Sequence, residues 1–190
     1  MITIIDRFLL AAREFGARVR EVEDWTGPTP CSAWDVRALV NHVTRGNLNY
    51  TALVRGATAA DFLRMRDADA LGDDPLGAYE SSTRACAAAF GSALDRVLDY
   101  PLGKIRGAQA LAIRTTDIVV HTWDLARAIG GDERLDPALT AWIDAELDAI
   151  YAGLPETPVS AETSHRFFAS PHRTPPGPTP QERILHRMGR

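Results

Sequence analysis

Asp117 and His121 stand four residues apart in R-T-T-D-I-V-V-H-T-W-D-L-A-R-A-I-G, residues 114–130. On a helix that spacing sets a carboxylate and an imidazole on one face, about one turn apart. Asp124 continues the stripe, and Ala110, Ile113, Val120 and Ala128 around it have the composition of a core-facing surface. A lone buried charge is strongly destabilising, so the pair requires a partner. A metal ion is one such partner. Arg114 is another: three residues before Asp117, it can pair with the carboxylate and leave His121 as an ordinary hydrogen-bonded core histidine.

His42 bears on this choice. It lies in W-D-V-R-A-L-V-N-H-V, on the flank of a second apolar stripe beside Ala38, Gly46 and Leu53, where it can face the same interior. One histidine from one helix and an acid–histidine pair from another make a His–carboxylate–His set of the sort helical bundles hold in their cores. Three such ligands leave coordination positions open, the arrangement of catalytic rather than structural zinc. Nickel, iron and manganese accept the same donors. Asp124 competes with Asp117 for the carboxylate place; otherwise it pairs with Arg37 or Arg127, or accepts a hydrogen bond from a ligand histidine. His165, His172 and His186 carry no spacing signal and are assigned to surface or packing roles. Cys31, close to a helix start, is read as structural, with a reactive thiol as its alternative.

The elements that must position these residues are helices. Ile4, Phe8, Phe15, Val19 and Val22 recur at three-and-four spacing over 3–22. Ser32 and Asp35 have capping-box spacing for a helix from Ala33 to Val54. A short helical piece is expected around Phe62. Asp74-Pro75 opens a helix through Tyr79, Cys86 and Phe90 to Leu94 and Val97. Ala108–Ile129 is strongly apolar and stopped by Gly130-Gly131, and Pro137 opens another helix to Tyr151. No window shows a period-two strand pattern, so Pro101 and the glycines near it read as a loop. The expectation is an all-α four-helix bundle over residues 1–152, with an extra C-terminal helix, and a proline-rich tail over 153–190 that packs on it and ends in a short helix near 182–187.

Composition narrows the partners. With 21 basic residues scattered among 25 acidic ones and a net charge of −4, the chain lacks the basic surface that nucleic-acid binding demands. No uncharged apolar run of about 18 residues exists, which excludes a membrane-spanning helix. Asp6, Arg7, Arg13 and Glu14 interrupt the apolar opening and argue against a secretory signal, so the cytoplasm is expected. Two cysteines make neither a disulfide framework nor a thiolate cluster. Composition leaves the oligomeric state open.

The segments T-P-C-S-A-W-D-V-R-A-L-V-N-H-V at 29–43 and R-T-T-D-I-V-V-H-T-W-D-L-A-R-A-I-G at 114–130, with the closing Q-E-R-I-L-H-R-M-G-R, resemble the actinobacterial DinB-like metal-binding proteins related to the N-terminal domain of mycothiol-dependent maleylpyruvate isomerase. The resemblance implies a DinB-like four-helix bundle. It also implies a divalent metal, typically zinc, on His42, Asp117 and His121, and mycothiol as a co-substrate. The partners it suggests are a small thiol and a small electrophile, joined by an S-transferase or isomerase; a non-catalytic metal-binding module and a metal-dependent hydrolase are the alternatives. This chain departs from the isomerase pattern in two ways: Asp117 stands where that pattern has Glu, and where the isomerase has a further C-terminal domain this chain has the proline-rich tail.

Overall fold

Thr3 opens the first helix, α1 (Ile4–Arg20): its hydroxyl accepts from the Asp6 amide at 3.1 Å while the Asp6 carboxylate accepts from the Thr3 amide at 2.8 Å. This reciprocal cap satisfies donors that the helix end leaves bare. The buried side of α1 is Phe8, Ala11, Ala12, Phe15 and Val19. The computed structural model describes residues 2–154 and 177–190. Among these residues seven helices and one short hairpin form an all-α, DinB-like fold.

The second helix, α2 (Val36–Val54), starts three residues later than the Ser32 spacing suggests. The chain before it folds back on itself, with Val36 N donating to Gly27 O at 3.0 Å and Arg37 N to Trp25 O at 2.9 Å. Asp35 takes the cap, its carboxylate accepting from Ala38 N at 2.7 Å. A short α3 (Ala59–Met65) around Phe62 follows, then α4 (Pro75–Phe90), capped by Asp74 with Pro75 in its first turn.

The extent expected of α4 is corrected here: it stops at Phe90, and Leu94 and Val97 lie beyond it. Glycine disfavours helix by about 1 kcal/mol relative to alanine, and at Gly91 the chain turns away. A second correction follows at once. The expected loop holds an antiparallel hairpin, β1 (Val97–Tyr100) paired with β2 (Gly103–Arg106), with Leu98 opposite Ile105. Each strand is four residues long, and β2 buries only Ile105, too little for an alternation to register in the sequence. Gly103, at φ +132°, makes the turn in a conformation that side chains resist.

The fifth helix, α5 (Gly107–Ala128), is buried along most of its length and on most of its faces, as a central helix should be. Both α1 and α2 pack against α4 and α5, so the four long helices close a ring in which α2 and α5 are neighbours. That adjacency carries the site. α6 (Pro137–Ile150) packs on α5, and α7 (Pro180–Arg187) on α6 through buried Ile184 and Leu185. Arg183 Nε reaches both Asp144 carboxylate oxygens at 2.9 and 3.0 Å, and Arg187 pairs with Asp148. Of the expected tail, residues 155–176 lie outside the described ones, and His165, His172, Pro171, Pro175 and Pro176 with them. No helix among the described residues is long and apolar enough to cross a membrane.

Candidate metal centre

Between Arg114 and Asp124, α5 buries seven polar residues. Thr115, Thr116 and Thr122 satisfy themselves, each hydroxyl donating to the carbonyl one turn back at 2.7, 3.0 and 2.8 Å. Arg114, Asp117, His121 and Asp124 have no such backbone remedy; they pair with one another along α5 and with groups from other elements.

His42, on α2, faces them. Its ring stacks on Trp34 with centroids 4.6 Å apart and meets the His121 ring edge-on at 4.9 Å. Asp117 Oδ1 lies 3.5 Å from His42 Nε2 and 3.4 Å from His121 Nε2. The structure thus brings His42, Asp117 and His121 together, with their donor atoms all within 4.8 Å of one another. His42 Nε2 is buried and has no hydrogen-bond partner among the described residues. A buried nitrogen lone pair of that kind, beside a carboxylate oxygen and a second imidazole, fits a divalent cation.

The other Asp117 oxygen belongs to Arg114. This buried guanidinium donates to Asp117 Oδ2, to Asn47 Oδ1 at 2.9 Å and to Val43 O. Gly46 makes room for it, since a Cβ there would sit 2.6 Å from Arg114 Cζ. The pairing of Arg114 with Asp117 and the gathering of Asp117 with two histidines therefore coexist, one on each carboxylate oxygen.

Asp124 lies on the far side of His121. Its Oδ2 is 2.9 Å from His121 Nδ1, so it can fix the tautomer that turns Nε2 toward Asp117, as carboxylates behind ligand histidines do. The expected pairing of Asp124 with Arg37 or Arg127 is not what forms. Arg190 takes that place, with Nε 2.6 Å from Oδ1 and an NH2 nitrogen 2.9 Å from Oδ2, while Arg37 donates to Gly72 O and Arg127 pairs with Glu133. The same Arg190 nitrogen is 3.1 Å from Cys31 Sγ, which itself lies 3.4 Å from Asp124 Oδ2. Cys31, His121 and Asp124 also cluster closely enough to hold an ion, but the guanidinium already supplies the positive charge there.

The electrostatics agree with that division. Burial would raise the Asp117 carboxyl, yet His121, Arg114 and His42 outweigh it and hold the group well below the usual carboxylate range. Burial would lower His121, but Asp117 and Asp124 lift it well above the usual imidazole value. For His42 burial wins over the pull of Asp117, and the ring is shifted toward its neutral form. Asp124, raised by burial, is brought below its ordinary value by His121 and Arg190. Two carboxylates around one imidazole favour positive charge, a demand that a divalent cation meets as well as a proton does.

His42 and Asp117 also line a pocket that opens to solvent. Tyr50, Phe62, Ile113 and Tyr151 give it apolar walls, and Asn49, Arg66 and Arg114 add polar groups, the usual mixture for a small-molecule site. Two neighbours of the site, Tyr151 and Asn47, carry no sequence signal; Arg190 lies in the closing Q-E-R-I-L-H-R-M-G-R segment, but nothing there points to Asp124, 66 residues away in the chain. Trp34 lies within the quoted motif, where a tryptophan before a helix cap is a detectable sign of a packed entry.

Residues 8–126 match the family described as mycothiol maleylpyruvate isomerase N-terminal domain, a stretch that includes His42, Asp117, His121 and Asp124. Uncharacterized proteins from two strains of Mycobacterium tuberculosis are each 33% identical to this chain over 115 residues. The match covers 60% of this chain, which spans 59% of the length of those curated relatives. No solved structure matches.

Proposed function

The chain belongs to the mycothiol maleylpyruvate isomerase N-terminal domain family, and from that premise we propose that it is a mycothiol-dependent S-transferase or isomerase acting on a small electrophile. In this reading His42, Asp117 and His121 hold a divalent metal, zinc before nickel, iron or manganese. The metal would supply a lowered pKa for a coordinated thiol, so that thiolate is present at neutral pH. The rest of the chemistry rests on the chain's own residues. Asp124 and Arg190 hold His121 in one orientation, Arg114 fixes Asp117 while leaving Oδ1 toward the imidazoles, and Tyr50, Phe62 and Ile113 give the pocket apolar walls.

In the transfer the sulfur bonds to the electrophilic carbon and the leaving group departs with its electron pair. In the isomerisation the sulfur adds to a conjugated double bond, the remaining single bond rotates, and expulsion of the thiolate restores the double bond. The observation that carries the proposal is that two members of the His–Asp–His set, His42 and Asp117, line a solvent-accessible pocket with apolar and polar walls. A cytoplasmic setting, where small thiols stay reduced, suits it.

The test supplies a low-molecular-weight thiol with monochlorobimane, whose chloride leaves as the C–S bond forms. The expected outcome is conjugation by metal-loaded protein that falls to the background rate in His42→Ala, His121→Ala and chelated samples. Equal rates in all of them overturn the proposal. Retained metal without conjugation identifies a binding module, and metal-dependent ester cleavage without conjugation identifies a hydrolase.

A further inference from the structure

Asn47 is fully buried in the middle of α2, and both polar atoms of its side chain are engaged. Its Nδ2 donates to Ser82 Oγ at 3.1 Å and to Thr83 Oγ1 at 3.2 Å, both on α4, while its Oδ1 accepts from Arg114 Nε at 2.9 Å on α5. Ser82 is fixed in turn, donating to Tyr79 O at 2.7 Å. A row of polar groups therefore crosses the apolar core from α4 through α2 to α5, and it ends on the Asp117 carboxylate.

Such a row is demanding to assemble, because every member is desolvated and each is left costly if its partner is missing. Apolar side chains of similar size would fill the space without that demand. What the row achieves is orientation. Arg114 is gripped by Asn47, by Val43 O one turn earlier on α2 and by Asp117, and its side chain is only 2% exposed, so the guanidinium has no room to swing aside. Asp117 Oδ2 is thereby taken, and Oδ1 alone turns toward His42 Nε2 and His121 Nε2.

We infer that Asn47 and Arg114 decide which cation the site accepts, by limiting Asp117 to a single ligating oxygen. The inference rests on the metal-binding part of the proposed function and adds selectivity to it. One carboxylate oxygen with two imidazole nitrogens suits a cation of low coordination number that accepts nitrogen readily, as zinc does. Manganese favours oxygen donors in octahedral geometry, and a carboxylate free to chelate through both oxygens would serve it better. The guanidinium withholds that second oxygen. Its positive charge, by contrast, repels every divalent cation alike, so it cancels in the ratio of two affinities and leaves the ratio to report the oxygens supplied.

The test needs no turnover. Zn2+ and Mn2+ are each titrated into metal-free full-length protein against a chromophoric chelator, and the ratio of their Kd values is compared among wild type, Arg114→Met and Asn47→Leu. The preference for zinc should fall about tenfold in Arg114→Met. Asn47→Leu keeps the Arg114–Asp117 pair but loosens the guanidinium, so it should show a smaller fall in the same direction. Infrared difference spectra of protein with 13C-labelled aspartate, loaded with Mn2+ against metal-free, read the carboxylate directly. The antisymmetric and symmetric stretches should lie far apart in the wild type, as for a carboxylate bound through one oxygen, and draw together in Arg114→Met. A chelating signature in the wild type, or an unchanged ratio in the folded variants, overturns the inference. Wild-type protein that binds neither cation overturns it together with the metal site. Bimane conjugation that fails while the ratio moves as expected sinks the thiol-transfer reading and leaves the selectivity role standing.

Discussion

The two nitrogens of His121 look onto regions built from the same parts, a carboxylate and an arginine, to different ends. On the Nδ1 side Asp124 is fully buried, and Arg190 engages both of its oxygens. On the Nε2 side Asp117 gives Oδ2 to Arg114 and turns Oδ1 toward two imidazoles at the edge of a pocket. A carboxylate with a guanidinium across both oxygens has its charge compensated and serves to orient its neighbour. One that keeps an oxygen toward two histidines is, in the proposed reading, the place for a cation. The comparison teaches that a buried Asp–Arg pair is no evidence against a ligand role until each oxygen has been accounted for.

Metal content breaks or sharpens this contrast most severely. His42→Ala, Asp117→Ala and His121→Ala are expected to lose the bound ion, whereas Asp124→Asn should retain it with affinity weakened about 10–100-fold. Elemental analysis and competition with a chromophoric chelator measure both. Equal loss in Asp124→Asn and Asp117→Ala would erase the difference between the two sides. The next largest effect is on stability. In metal-free protein, Asp117→Ala leaves the Arg114 guanidinium buried without its counter-charge, and urea unfolding should show a loss of about 3–5 kcal/mol.

Arg190→Ala acts on the orienting side and should be milder, about 2 kcal/mol for the lost charge-assisted hydrogen bonds. Metal should be retained. The smallest effect concerns the outer grip of α7. The Arg183 hydrogen bonds hold the Asp144 carboxyl below its ordinary value, against a smaller upward push from burial. A carboxyl lowered in the folded state stabilises above its unfolded pKa and loses that contribution as pH falls through the folded value. The difference in melting midpoint between wild type and Arg183→Ala should therefore be present at neutral pH and shrink in acid below the usual carboxylate range. A gap that persists there would show that Arg183 acts through packing alone.

The local features were legible in the chain. The four-residue step from Asp117 to His121 fixes a shared helix face whatever surrounds it, and Asp74-Pro75 and Pro137 mark helix starts because their effects reach no further than one turn. The quoted motifs around His42 and Asp117 likewise pointed to the DinB-like fold. Three features were not legible. The hairpin at 97–106 was missed because four-residue strands show too little alternation, and the start of α2 was misread because backbone bonds from 25–27 to 36–37 override a local cap signal. The partner of Asp124 comes from 66 residues away.

Spacing along the chain thus determined which groups share an element's face: Asp117, His121 and Asp124 on one, His42 on another. The tertiary structure alone decided how those faces meet. Only the ring order that sets α2 beside α5 brings His42 opposite Asp117, and only the packing of α6 and α7 delivers Tyr151 to the pocket and Arg190 to Asp124. The reason is physical: helix periodicity is a short-range property of the backbone, whereas the pairing of buried charges depends on which elements pack side by side, a choice made by the whole apolar core at once.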